Sequence, residues 1–233
     1  LPFCRHACWY CGCSRITTQA GSKVVLPYLE ALAKELALVA RASGSKRSLA
    51  QLHWGGGTPN YLTTAEMAQL WGQIERNFDL DSDLEASIEL NPEFLSRDGV
   101  LSLRRLGFNR VSFGIQDADP DVQAAVNRLV PAEQLRRVMD WLREADFASV
   151  NVDLICGLPR QTPERFAATL ELVQQLRFAT EWLDLRAMEA DGLVKLQAGG
   201  EIRVTYQGRW LIRTIASLFD PAQRLGASGS RLV

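Results

Sequence analysis

Hydrophobic positions along the chain follow two spacings. From Pro27 to Ala42 (PYLEALAKELALVARA) apolar residues recur every three or four positions, which predicts an amphipathic helix with Pro27 at its start. Gly44 to Ser48 is polar and reads as a loop. Gln51 to Trp54 predicts a short strand running into the turn Gly55-Gly56-Gly57-Thr58-Pro59. Thr63, with Glu66 three residues on, is a capping-box signature for a helix start. Leu84 to Leu90 predicts a second strand, stopped by Asn91-Pro92, and a helix from Ser96 closes near Gly107. Arg110 to Gln116 predicts a third strand, Pro131 to Ala145 a helix, and Ser149 to Ile155 a fourth strand stopped by Gly157-Leu158-Pro159. Thr162-Pro163-Glu164 opens one more helix. Strand and helix thus alternate at intervals of about thirty residues, which predicts an α/β fold of βα units around a parallel sheet.

In barrels built this way, chemistry sits at the carboxyl ends of the strands. Gly56, Gly57 and Thr58 follow the first of these strands, Glu89 ends the second, Gln116 ends the third, and Asp153 lies late in the fourth. Arg128 lies in the loop and helix start after Gln116. Any one of them is compatible with a solvated loop. One polar group per strand end is more than helix–sheet packing requires, and together they favour a site.

The cysteines change the picture most. Cys4, Cys8, Cys11 and Cys13 crowd into ten residues, and the fifth, Cys156, stands far away. A disulfide framework spreads its cysteines to close loops, so this run reads as an intracellular thiolate cluster for a metal. Structural zinc sites usually pair two separated knuckles, and no second knuckle follows. Three thiolates on one tight loop can hold three irons of a 4Fe–4S cube and leave the fourth iron open. Cys13 is too close to Cys11 to cap the far corner, so Cys4, Cys8 and Cys11 are the expected ligands. A four-cysteine zinc loop, or thiols without metal, is the alternative. Cys156, in LICGLP, is expected to be a buried thiol. His6 either hydrogen-bonds near the metal or a substrate or is a solvated loop histidine; His53 is expected to be structural.

Composition narrows the partners. The 233 residues are 47% hydrophobic and 23% charged, with a formal net charge of -1. That balance offers no electrostatic footprint for nucleic acid or an anionic membrane. No apolar run approaches membrane-spanning length and no signal peptide is visible. The expectation is a cytoplasmic monomer. The chain opens at Leu1 rather than methionine, which suggests that an upstream segment has been removed.

The run CxxxCxxC resembles the signature loop of the radical S-adenosylmethionine (SAM) enzymes. Within them, CxxxCxxCxC after PFC is similar to the oxygen-independent coproporphyrinogen III oxidases of haem synthesis. The resemblance implies a partial (β/α) barrel of the radical SAM type. It implies a 4Fe–4S cluster whose open iron is chelated by SAM, and reductive cleavage of SAM to a 5′-deoxyadenosyl radical. It implies conversion of two propionates of coproporphyrinogen III to vinyl groups, with electrons from a donor such as a flavodoxin. HWGGGTP resembles the family's GGTP segment, which puts Gly56, Gly57 and Thr58 against the methionyl group of SAM. SIELNP resembles the strand with a ribose-binding glutamate, Glu89, and VSFGIQD the segment whose glutamine, Gln116, lines the SAM site. AVNR places Arg128 near the SAM carboxylate, VNVDLICGLPRQT gives Asp153 to the ribose, and Tyr10 matches an aromatic near adenine. A haem-binding chaperone-like relative carries an aromatic where Cys13 stands, so CGC favours the oxidase; an inactive cluster-binding fragment is a further reading.

After Leu183 the pattern changes. Residues 183–194 read as a helix and its exit, KLQAGGEIRVT as a hairpin with a Gly-Gly turn, and GRWLIRTIASLFD as an amphipathic helix. This suggests a small winged-helix-like piece at 179–233 beside a barrel portion at 1–178, with DNA binding disfavoured by the neutral charge. The piece resembles the family's extreme C-terminus. Relative to the family pattern, the segment before LPFC is missing. Leu176-Arg177-Phe178 passes almost directly into Thr180 to Leu183, where the last barrel strands are expected. Such a deletion would expose a sheet edge and weaken turnover.

Overall fold

The computed structural model describes residues 1–44 and 46–176, and the backbone of two short strands at 194–196 and 202–204. Strand β1 (Phe3–Cys4) pairs in parallel with β2 (Ile16–Thr17), and the two bracket the cysteine loop. The sequence pattern did not reveal this pair, because two-residue strands carry no periodicity.

Helix α1 (Ser22–Ala42) starts five residues before Pro27, so the expected start at Pro27 is corrected. An interior proline gives up the bond to the carbonyl four residues back and normally disfavours a helix there. Here tertiary contacts hold the first turn. Val25 and Leu29 are buried in the core. The Ser22 hydroxyl donates to Glu66 Oε1 at 2.6 Å, and the Gly21 amide donates to the Tyr61 hydroxyl at 3.0 Å.

Strand β3 (Ser48–Trp54) and strand β4 (Asp79–Leu90) are both longer than their hydrophobic patterns predict. Ser48, expected in a loop, pairs with Asp79, and Leu49 with Leu80, before a register shift that resumes at Gln51–Glu85. These added residues are mostly polar and exposed, so alternation is silent about them. Helix α2 (Thr64–Asn77) has the expected capping box on Thr63 and Glu66. Burial alone would raise the Glu66 pKa. Hydrogen bonds from Ser22 and Thr63 outweigh that and leave it below the ordinary carboxylate value.

Helix α3 (Arg97–Leu106) starts from a Ser96 cap, and β5 (Arg110–Gln116) has the expected bounds. A short helix, α4 (Pro120–Ala125), capped by Asp119, was not foreseen. Helix α5 (Ala132–Glu144), β6 (Ser149–Leu154) and α6 (Pro163–Gln175, capped by Thr162) follow the expectation closely. The four longer strands are parallel and lie in chain order β3-β4-β5-β6, as a section of a β/α barrel does.

One face of this sheet is apolar. Trp54, Ala86, Ile88, Leu90, Val111, Phe113 and Ile115 are buried with Met67, Leu70, Trp71, Val100, Leu103, Leu135, Val138 and Leu142 of the helices. The Phe108 ring sits edge-on to both Trp54 and Trp71, with centroids 5.0 Å away. The other face is polar and in register: His53 beside Ser87, Glu89 beside Ser112, Ser112 beside Asn151, Gly114 beside Asp153. That alternation turns every chemical side chain of the strands to one side.

In the tail, β7 (Val194–Leu196) and β8 (Ile202–Val204) form an antiparallel pair, as the hairpin reading expected. The two flanking helices, the winged-helix-like arrangement, the boundary at 178 and the junction from Arg177 to Leu183 lie outside the described residues. Among the described residues, no helix is long and apolar enough to cross a membrane.

Candidate functional site

The amino-terminal segment runs beside the turn after β3. The Leu1 nitrogen donates to the Gly55 carbonyl at 2.8 Å, Gly57 N donates to Leu1 O at 2.7 Å, and Thr58 N donates to Phe3 O at 2.9 Å. This explains the glycines. A Cβ on Gly57 would stand 2.8 Å from the Pro2 carbonyl carbon and oxygen. One on Gly56, whose φ is 114°, would stand 2.9 Å from Leu1 O. The close neighbour at these two positions is the chain's own backbone. The contact also sets Cys4 in place, with its sulfur 3.3 Å from the Thr58 hydroxyl.

The cysteine loop then leans on the connection between α4 and α5. Trp9 N donates to Val126 O at 3.0 Å, and Asn127 Nδ2 donates to Ala7 O at 2.7 Å. Cys11 N donates back to Cys8 O at 3.2 Å, and Arg15 caps the Cys11 carbonyl at 2.8 Å. Arg128 crosses from this connection to the sheet. One terminal nitrogen donates to the Gly114 carbonyl at 3.0 Å and the other lies 3.8 Å from the Cys8 sulfur.

Gln116 is built unusually. Between Gly114 and Gln116 the register with β6 shifts by one residue, a bulge. Asp117 N donates to Ile115 O at 2.8 Å across Gln116, whose φ is 65°. That is a γ-turn of the rare left-handed kind. It folds the Gln116 amide back over Gly114, where a Cβ would overlap it.

These pieces enclose one cavity of about 260 Å³. Every candidate from the sequence lines it: Cys4, Cys8, Cys11, Cys13, Tyr10, Gly56, Gly57, Thr58, Glu89, Gln116, Arg128 and Asp153. Arg5, His6, Arg15, Asn91 and Ser112 line it too. Ser112 was legible, since it shares the period-two face of Gln116; the two arginines were not, because loop geometry turns them inward. His6 lies 3.4 Å from Glu93 Oε2 and edge-on to Phe94. Exposed His53 lies at the sheet's polar face, with Nδ1 2.8 Å from the Ser87 hydroxyl and Nε2 3.5 Å from Glu89. Cys156 does not join them and is exposed, which corrects the expected burial. It follows the end of β6, and the buried position in that turn is Leu158, packed on Val122 and Val126.

The electrostatics are those of a site lacking a partner. Buried Gln116 Oε1 and Arg128 Nε have no hydrogen-bond partner, although such atoms are nearly always satisfied. Burial among the strand ends pushes the Asp153 carboxyl above its ordinary value, the Glu89 charge adds to this, and a bond from Ser112 opposes it. Desolvation also raises the Tyr10 hydroxyl, against the pull of Arg128. A hydrogen bond with Cys11 raises Cys13. Among the described residues, no three His, Cys, Asp or Glu side chains are placed to hold a single ion. The fit of the thiols to a metal cluster therefore rests on their spacing and shared cavity.

Comparison with known proteins places this cavity in context. Residues 1–173 match the Radical SAM superfamily model. The chain is 52% identical over 176 residues to an oxygen-independent coproporphyrinogen III oxidase of Synechocystis, covering 76% of this chain and 38% of that protein. It is 44% identical over 177 residues to the enzyme of that name from Escherichia coli, with the same coverage. The chain thus spans well under half the length of these relatives. The solved structure of the Escherichia coli coproporphyrinogen III oxidase (HemN), described as a radical SAM enzyme, superposes with a TM-score of 0.73 at 38% identity, covering 94% of this chain and 50% of that one. A radical SAM methyltransferase, TsrM from Kitasatospora setae, shares the fold at a TM-score of 0.53 and 18% identity, over 76% of this chain and 34% of its own.

Proposed function

From the premise that this chain belongs to the radical SAM superfamily, we propose that it carries the cofactor site of an oxygen-independent coproporphyrinogen III oxidase. Its part is to hold a 4Fe–4S cluster on Cys4, Cys8 and Cys11 and SAM across the strand ends. The observation that carries this reading is the convergence of the three thiols and the strand-end polar groups on one cavity, with two buried polar atoms there left without partners. When bound and reduced, the cluster with SAM supplies a carbon-centred radical that can take a hydrogen atom from an unactivated carbon.

The chain's own residues bind and orient. Arg128 is fixed on Gly114 and beside Cys8, so its unpartnered Nε is available to a carboxylate. Glu89 on β4 and Asp153 on β6 flank β5 on the sheet's polar side, and each is assigned to accept a ribose hydroxyl. The Asp153 carboxyl faces the cavity, and partial desolvation there raises its pKa. Gln116 offers its free Oε1 to a donor on the same ligand. Tyr10, desolvated beside Arg128, gives an aromatic edge for adenine. The substrate class is coproporphyrinogen III, whose propionates are decarboxylated to vinyl groups. A flavodoxin-type protein is the proposed electron donor, and a monomer in the cytoplasm the proposed setting.

The test is anaerobic reconstitution followed by iron and sulfide analysis, SAM binding and product analysis. The expected result is four irons per chain, lost on Cys4→Ala, Cys8→Ala or Cys11→Ala and kept on Cys13→Ala. A tetrahedral zinc–sulfur site in the freshly isolated protein would overturn it.

A further inference from the structure

We propose that Asp117 is the positioning residue that holds Gln116 in its strained, cavity-facing turn, and that it does so through Gln161 and Thr169. The inference deepens the reading above and rests on Gln116 contacting SAM. A non-glycine residue at a φ of 65° persists only where its surroundings over-determine it. The Gln116 carbonyl accepts from Ile155 N at 3.0 Å, but its side-chain Oε1 has no partner and adds no constraint. The next residue does.

Asp117 is 1% exposed. One carboxylate oxygen accepts from Asp119 N at 2.7 Å and from the Thr169 hydroxyl at 3.0 Å; the other accepts from Gln161 Nε2 at 2.5 Å. Thr169, also 1% exposed, accepts from Ala118 N at 3.0 Å. Behind the turn, Gln123 Nε2 donates to the Asp117 carbonyl at 2.8 Å. Gln161 carries the constraint into the next loop. Its Oε1 accepts from Gly157 N at 2.6 Å, and its Nε2 also donates to Ile155 O at 2.9 Å. One carboxylate thus ties the loop after β5, the loop after β6 and helix α6.

A local Asx turn would need only the bond from Asp119. The second oxygen, facing a side chain 44 residues on, goes beyond local capping. These partners are uncharged, so the carboxylate is buried without the benefit of an ion pair, an expensive way to fix a loop. That expense is accounted for by what it fixes: the bulge and γ-turn that aim Gln116, and the loop that follows Asp153.

The experiment compares Asp117→Asn, the pair Asp117→Asn with Gln161→Glu, and Gln116→Ala, in the full 233-residue chain. In Asp117→Asn an amide NH2 faces the Gln161 amide nitrogen, donor against donor. The paired change restores a donor and an acceptor between these two side chains with their roles exchanged, but loses the bond to the Ile155 carbonyl, so recovery is expected to be partial. Two readouts are taken: amide hydrogen exchange of residues 115–118 without cofactors, and SAM affinity at constant iron content. Asp117→Asn is expected to speed exchange and weaken SAM about tenfold, with part of both recovered in the paired variant. Thr169→Val, which removes the donor to Asp117 and the acceptor of Ala118 N at nearly constant volume, serves if Asp117→Asn does not fold; about a threefold loss is expected. Unchanged exchange in Asp117→Asn overturns the clamp while Gln116→Ala still weakens SAM. Unchanged SAM affinity in Gln116→Ala instead overturns the SAM contact on which the clamp rests.

Discussion

The turns after β3 and β5 both face the cavity, and they are built in opposite ways. After β3 the chain uses glycines, and at Gly56 and Gly57 backbone packs on backbone, against Leu1 to Phe3. After β5 the turn is a bulged residue in a left-handed conformation, held by buried side chains that reach it from far along the chain. The first design tolerates no added atom but needs no network. The second tolerates a full side chain at Gln116, and so can point an amide at a ligand, at the expense of burying a carboxylate. A site that needs both close backbone approach and an aimed polar group has reason to use one of each.

Breaking the first turn is expected to have the largest effect. The Cβ of Gly57→Ala would meet main-chain atoms of Pro2 and Phe3 at 2.8–2.9 Å, which cannot swing aside as a side chain does. The strand β1 and Cys4 would be displaced, with a loss of roughly 2–3 kcal/mol in urea unfolding and loss of iron uptake. Gln123→Ala attacks the second turn from behind. It orphans the Asp117 carbonyl and both polar groups of Val130, for a loss of about 2 kcal/mol. Hydrogen exchange should accelerate around 117–130 and stay unchanged at 55–58; acceleration in both would erase the contrast drawn between the turns.

Gly114→Ala sharpens it further. The added methyl collides only with the movable end of Gln116, so stability should change by less than about 1 kcal/mol. SAM affinity should fall about threefold because the amide is pushed from its position. The smallest effect concerns Asp153. Its folded pKa is raised, so its contribution to stability is full below the ordinary carboxylate value and is lost as pH rises through the folded one. Asp153→Asn should therefore flatten the acid side of the stability–pH curve and slightly stabilise the ligand-free chain at neutral pH, while weakening SAM. A curve unchanged in shape would count against a desolvated carboxyl.

Much of this was readable from residues alone where the determinants are local. Thr63 and Glu66 announce α2, Ser96 α3 and Thr162 α6, because a cap satisfies orphan amides within three residues of itself. The alternation in Arg110 to Gln116 set the bounds of β5 and the face on which Ser112 lies. The candidate residues converge because strand ends in a parallel sheet are spatial neighbours whatever the loops do.

What only the tertiary structure decided depends on contacts between distant parts of the chain. The first turn of α1 forms ahead of Pro27 because Val25 and Leu29 are buried and Glu66 and Tyr61 hold Ser22 and Gly21. Gly56 and Gly57 are required by Leu1 to Phe3, more than fifty residues away in sequence. Cys156 is exposed because the strand stops two residues before it, and Leu158 takes the buried place. The left-handed turn at Gln116 has no sequence signal at all, since no glycine or asparagine stands there. It is stable only because a carboxylate, an amide and a hydroxyl from three separate elements meet behind it, and hydrophobic period carries no information about where buried polar groups meet.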